Sequence, residues 1–246
     1  MNIPILSIPL FYIDKTRNVD YEQTFKEVGF EDITHFPAVQ GSELDMKKMA
    51  QTGVLGCRAY NDLTYGRHQH TGVSTSGTIG CHLSHVSLWQ KCVDLDLPYM
   101  IIAEADVIPR NLTDSEIEKI SKVLRKPTGI VISSKNKYKK GSELLFGAHL
   151  YFITQEAAKA LLKYAFPIHM QLDSYIGYIG NIDNAEVESL VLCDVIDHKS
   201  STSDLGKCIK CFLPSNRKYY IYGISVISVI SVILLVFLII GVLRRV

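Results

Sequence analysis

The sequence predicts an α/β fold, a mixed sheet flanked by helices, on three observations. Apolar runs of strand length alternate with segments of helical periodicity, which is the pattern of a parallel or mixed sheet. About 220 residues precede a distinct apolar tail, enough for one such domain with a sizeable core. One apolar run, Tyr99 to Ala103, stops on two carboxylates, Glu104 and Asp106, with Ala105 between them. The carboxyl end of a strand is where α/β sheets collect ligands.

Taken in order, "IPILSIPLFYI" (3–13) reads as a first strand and the polar stretch after it as a helix ending near Gly29. "DITHFPAVQG" (32–41) is a second short strand. Gly53 to Gly77 is rich in Gly, Thr, Ser and His without clear periodicity and reads as a long loop, a class that is usually functional or disordered. His68 and His70 in that loop form an H-x-H whose polar setting favours solvent. Leu83, Val86, Trp89 and Val93 recur at helical spacing within 77–98, and Pro98 stops the helix. The strand 99–103 follows at once. Thr113 with Glu116 three residues on forms a capping box for a helix over 113–126. "TGIVISS" (128–134) is a strand, 145–154 another, 155–165 a helix ended before Pro167, and 188–197 the last strand.

The tail differs in kind. Residues 221–243 contain no charge, Pro, Asn or Gln, and such a run beyond about 18 residues reads as a transmembrane helix. No basic, cleavable signal peptide is evident in "MNIPILSIPLF", so the expectation is a C-terminal anchor with the N-terminal domain cytosolic at synthesis and membrane lipid as a partner. Basic residues flank both ends of the run (Arg217 and Lys218, Arg244 and Arg245), so orientation is not fixed by charge. The expected organisation is a domain over 1–205, a juxtamembrane linker over 206–220, the helix over 221–243 and a tail of 244–246.

Without Arg244 and Arg245, 24 basic residues face 25 acidic ones, which argues against nucleic acid as a partner. Six scattered cysteines are too few for a disulfide scaffold. Cys208 and Cys211 form a lone C-x-x-C beside the apolar run, open to zinc, redox, disulfide or acylation chemistry.

Two carboxylates one residue apart can both reach a hard divalent cation, and a cation touching a diphosphate can stabilise a departing nucleotide. The surroundings sharpen that reading. "GTIGCHLSHVSLWQKCVDLDLPYMIIAEADVIP" resembles the central block of glycosyltransferase family 25, through Gly80, Cys81, Leu83, Ser84, His85 and Trp89, then Glu104, Asp106 and Val107. "FPAVQGSEL", "GAHLYFITQEAAKALL", "QLDSYIG" and "HKSSTSD" resemble further family elements in the family's order. The middle acid of the family's E-D-D is Ala105 here.

The resemblance implies a GT-A-like, Rossmann-like fold, a UDP-sugar donor, Mn²⁺ or Mg²⁺, and transfer of galactose or glucose to a glycan or protein hydroxyl. Glu104 and Asp106 would hold the metal and diphosphate, with His198 as a third ligand. Ser84 and His85, expected at the start of the helix before the strand, would meet the donor. Asp173 would be the general base. A second class of function is an envelope or surface protein, resembling the glycosaminoglycan-binding envelope proteins of poxviruses, at a virion membrane or host endomembrane. There Lys135, Lys137, Lys139 and Lys140 would contact sulfated sugars.

Overall fold

A computed structural model describes residues 3–67, 69–134, 147–183 and 185–196. His68, the Lys135–Lys140 cluster, His198, Cys208, Cys211 and the apolar run 221–243 lie outside the described residues. Among the described residues no helix is long and apolar enough to cross a membrane.

The first apolar run does not form one strand. Pro4 and Pro9 break it into a 3-10 turn at Ile5–Ser7 and β1 (Leu10–Asp14), because proline cannot donate to a ladder. Helix α1 (Val19–Glu27) is capped by Asn18, whose side chain accepts from the Tyr21 N–H. Strand β2 (Ile33–Pro37) lies parallel to β1. Two short helices follow, α2 (Met46–Gln51) and α3 (Cys57–Tyr65), and α3 occupies a stretch expected to be loop. Helix α4 (Ser76–Asp94) leads directly into β3 (Tyr99–Glu104), and the turn Ala105-Asp106 joins β3 to β4 (Val107–Pro109).

Helix α5 (Asp114–Leu124) carries the expected capping box, with Thr113 and Glu116 satisfying each other's backbone N–H groups. Strands β5 (Gly129–Ser133) and β6 (Leu150–Thr154) precede α6 (Gln155–Lys163) and α7 (Leu172–Ile182). The last expected strand is two, β7 (Glu186–Leu190) and β8 (Cys193–Val195), in different sheets.

The main sheet has the order β2-β1-β3-β6-β5-β7, and β4 pairs with β8 in a separate ribbon. Only β6 runs against its neighbours; the pairs β1–β2, β1–β3 and β5–β7 are parallel. Alternation sorts the strands' side chains onto two apolar layers. Phe11, Met100, Ile102, Ile130, Ile132 and Ile153 face one cluster with Trp89 of α4 and Leu161 of α6. Leu10, Ile101, Val131 and Phe152 face the other, with Phe25 of α1 and Ile120 of α5. This is the mixed α/β architecture expected, covered by helices on both faces.

One buried residue makes the core sensitive to acid. His82 of α4 is 1% exposed, lies against the rings of Tyr175 and Trp89, and neither nitrogen has a hydrogen-bond partner among the described residues. Burial, with a smaller contribution from nearby His85, lowers its pKa from 6.5 to about 3. The unfolded chain therefore takes up a proton below pH 6.5 that the folded chain refuses until about pH 3, and stability falls as pH drops through that window. The expected loss is roughly 2 kcal/mol between pH 6 and pH 4. Urea melts at the two pH values should show it for the wild type and a clearly smaller loss for His82→Leu. An equal loss in both would place the acid sensitivity elsewhere.

Candidate active site

The site is built where β3 ends. Backbone hydrogen bonds fix Glu104 there: its N–H donates to the His149 carbonyl (2.7 Å), and its own carbonyl accepts from the Tyr21 hydroxyl (2.6 Å). Antiparallel pairing of β3 with β6 sets Ala103 opposite Leu150, so the residue before β6, His149, arrives beside the residue that closes β3. Its Nδ1 lies 3.0 Å from Glu104 Oε2 and 3.2 Å from the Asp106 carboxylate. Burial opposes charge on this imidazole, but the Asp106 and Glu104 carboxylates override it and raise its pKa. Burial likewise disfavours the charged Glu104, yet hydrogen bonds from His149 and His85 hold its carboxyl well below the usual range.

Glu104, Asp106 and His149 each offer a ligand atom within 4.8 Å of the others. Two carboxylate oxygens and an imidazole nitrogen suit a divalent cation of the Mn²⁺ type, since carboxylates match hard ions and imidazole is an acceptable nitrogen donor. The donor set therefore fits the cation that the resemblance implies. His149 was not among the residues singled out in the sequence.

Two cavities meet at Glu104. The first, about 460 Å³, opens at the carboxyl ends of β1 and β2 and is lined by Ile13, Lys15, Gln40 and the first turn of α4. The second, about 500 Å³, lies between α4, the segment Gly147–His149 and the start of α7, and it takes in Arg67, His70 and Asp173. Thr75, Gly77, Cys81 and Glu104 line both. The positive end of α4, a 19-residue helix capped by Thr75, thus points at the junction, where an anion is favoured.

The segment 38–41 reaches the junction by packing against α4 with no room for side chains. A Cβ on Gly41 would stand 2.0 Å from the Ser76 carbonyl oxygen, and one on Gly80 would stand 2.4 Å from that of Val39. Ser84 ties the two together: its hydroxyl accepts from the Val39 N–H (2.9 Å) and donates to the Gly80 carbonyl (2.8 Å).

Ser84 and His85 are not at the start of the helix. Thr75 caps α4 at Ser76, so both lie in the third turn, where backbone N–H groups are already used within the helix. Gly77 and Gly80 in the first turns had obscured that start. Both residues still line the first cavity. Asp173 sits in the first turn of α7, with Oδ1 accepting from the Ser174 N–H (2.7 Å) and Oδ2 from Gly147 N–H (3.4 Å). Burial raises its pKa despite those two bonds.

Residues 13–129 match the family model described as Glycosyltransferase family 25 (LPS biosynthesis protein). This segment is a glycosyltransferase family 25 domain. A "Glycosyltransferase 25 family member" of Drosophila pseudoobscura pseudoobscura is 35% identical over 91 residues, 37% of this chain and 14% of that protein. "Lipooligosaccharide biosynthesis protein lic2B" of Haemophilus influenzae is 33% identical, over 35% of this chain and 41% of that protein. The chain thus spans about one seventh of the insect relative and less than half of the bacterial one. Among solved structures, mouse Xyloside xylosyltransferase 1 in its apo form aligns with a TM-score of 0.37 and 13% identity over 74% of this chain and 71% of that one. The match to the family 25 domain ends within β5; His149 and Asp173 lie beyond it and join the site through the fold.

Proposed function

We propose that the domain is a GT-A-like transferase that moves a hexose, galactose or glucose, from a UDP-sugar to a glycan or protein hydroxyl, held at a membrane by 221–243. The observation that carries this is the convergence of Glu104, Asp106 and His149 at the end of β3 in a family 25 domain, where Glu104 lines both cavities and His149 the second. The names of the bacterial relative and of the family point to glycan acceptors.

In this reading the nucleotide occupies the first cavity, with its diphosphate toward the positive end of α4 and Lys15. Mn²⁺ or Mg²⁺ held by Glu104, Asp106 and His149 would supply Lewis-acid stabilisation of the leaving diphosphate. The acceptor enters the second cavity, where Asp173 takes the proton of its hydroxyl as that oxygen attacks the anomeric carbon. A raised pKa makes Asp173 a better base than an ordinary carboxylate. The bond from the anomeric carbon to the diphosphate breaks, and UDP departs on the first-cavity side.

Calorimetry with UDP, Mn²⁺ and EDTA tests the donor site. UDP is expected to bind with Mn²⁺ present and to lose measurable affinity once EDTA is added. Release of UDP from UDP-galactose or UDP-glucose is the matching assay of turnover. Binding of UDP that EDTA leaves unchanged would remove the cation from the reading.

A further inference from the structure

Behind Glu104 a row of buried polar groups runs into the core. Trp89 of α4 donates its indole N–H to the Tyr151 hydroxyl of β6 (2.8 Å). The same oxygen lies 2.8 Å from His85 Nδ1, and His85 Nε2 lies 3.3 Å from Glu104 Oε1. Trp89, Tyr151 and His85 are all fully buried, and the His85 and Tyr151 rings stack at 18°.

Counting hydrogens fixes how this row is arranged. An indole nitrogen only donates, so the Tyr151 oxygen accepts from it. The phenol's own hydrogen then needs an acceptor, and the second partner of that oxygen is His85 Nδ1. If Nδ1 carried a hydrogen, three hydrogens would crowd one oxygen and the phenol's would go unpaired. That costs about 1–3 kcal/mol in a dry site. Nδ1 is therefore the acceptor, Nε2 bears the hydrogen, and Nε2–H points at Glu104 Oε1. The other carboxylate oxygen, Oε2, faces His149. Glu104 is held at both oxygens.

We propose that Trp89, Tyr151 and His85 are positioning residues that lock the His85 tautomer and so orient the Glu104 carboxylate toward the donor's cation. The purpose assigned to the row rests on the cation reading above; the tautomer does not. The same count disfavours a metal at Cys81, His85 and Glu104, whose ligand atoms also lie within 4.8 Å of one another. Such a metal would need the Nε2 lone pair, moving the hydrogen to Nδ1 and leaving the Tyr151 hydrogen without an acceptor. Outer groups of this kind typically change metal affinity by about 10- to 100-fold when removed.

Nitrogen-15 NMR of histidine-labelled, metal-free protein reads the tautomer directly, and Mn²⁺ titration reads its effect. The expected wild-type result is Nε2–H at His85 with an exchange-protected proton. Tyr151→Phe should mix the tautomers and weaken Mn²⁺ binding about tenfold or more, with the backbone spectrum retained. His85→Gln, which keeps an N–H for Glu104, should recover much of the affinity that His85→Leu loses. An Nδ1–H tautomer in protein that binds Mn²⁺ would overturn the row alone. So would equal Mn²⁺ affinities for His85→Gln and His85→Leu. Wild type that shows the Nε2–H tautomer but no affinity for Mn²⁺ would overturn the cation reading, and with it the purpose assigned to the row.

Discussion

Asp106→Ala is expected to abolish sugar transfer, lowering kcat/KM by about 10³-fold or more, or ~4 kcal/mol of transition-state stabilisation. Its carboxylate is one of the three ligand groups brought together at the end of β3, with Glu104 and His149. The fold should survive. The part of Asp106 that the β4–β8 ribbon uses is its carbonyl, which accepts from the Ile196 N–H (2.8 Å) and remains in the variant. UDP release together with a thermal melt separates the two effects: turnover is lost while the melting midpoint stays close to wild type. Ala105→Asp is the counterpart. It restores the acid missing from the family's pattern, and because Glu104 and Asp106 already converge on His149, activity should change only modestly. A wild type without turnover that Ala105→Asp rescues would instead mark a decayed site.

Asp173→Asn should lower kcat by roughly 10²- to 10⁴-fold, the range for removal of a general base, while UDP affinity in the presence of Mn²⁺ stays unchanged. The split follows from position, since Asp173 lines the second cavity and not the first. Asparagine keeps an oxygen that can accept from Ser174 or Gly147, so the start of α7 is preserved. Burial raises the Asp173 pKa, so the base becomes protonated at a higher pH than an ordinary carboxylate. The acid limb of the wild-type kcat/KM profile should lie correspondingly high and should be absent from the variant's residual activity. A variant that loses UDP binding in parallel with turnover would place Asp173 in the donor site instead.

The sheet and its flanking helices were legible because the strands alternate or run apolar and several helices carry strong caps, as with Thr113 and Glu116. Helix α3 was not. "CRAYNDLTY" is short and lies between glycines, and its apolar stripe, Ala59, Tyr60 and Leu63, is too brief to stand out from the polar stretch around it. Helix α7 failed for the opposite reason. "LDSYIGYIGNI" is apolar with two glycines and three isoleucines, a composition with poor helix propensity that tertiary packing overrides. At the site, Glu104 and Asp106 could be found because strand end and spacing are both written in one short stretch. His149 could not. It joins them through the direction and register of β6 against β3, and an apolar run shows neither.

That single reversed strand has a consequence for how the sheet finds its alignment during folding. Sliding β6 by two residues along β3 would leave every side chain on its own face, so the apolar layers alone discriminate weakly against the slipped partner. The slip would, however, carry His149 away from Glu104 and Tyr151 away from Trp89 and His85, and the Trp89, Tyr151 and His85 groups would be stranded in the dry interior. Unpaired buried donors and acceptors are costly enough to reject it. The groups that shape the chemistry therefore also act as a latch on strand alignment, and a variant that weakens the latch should populate a misaligned sheet before it loses its hydrophobic core.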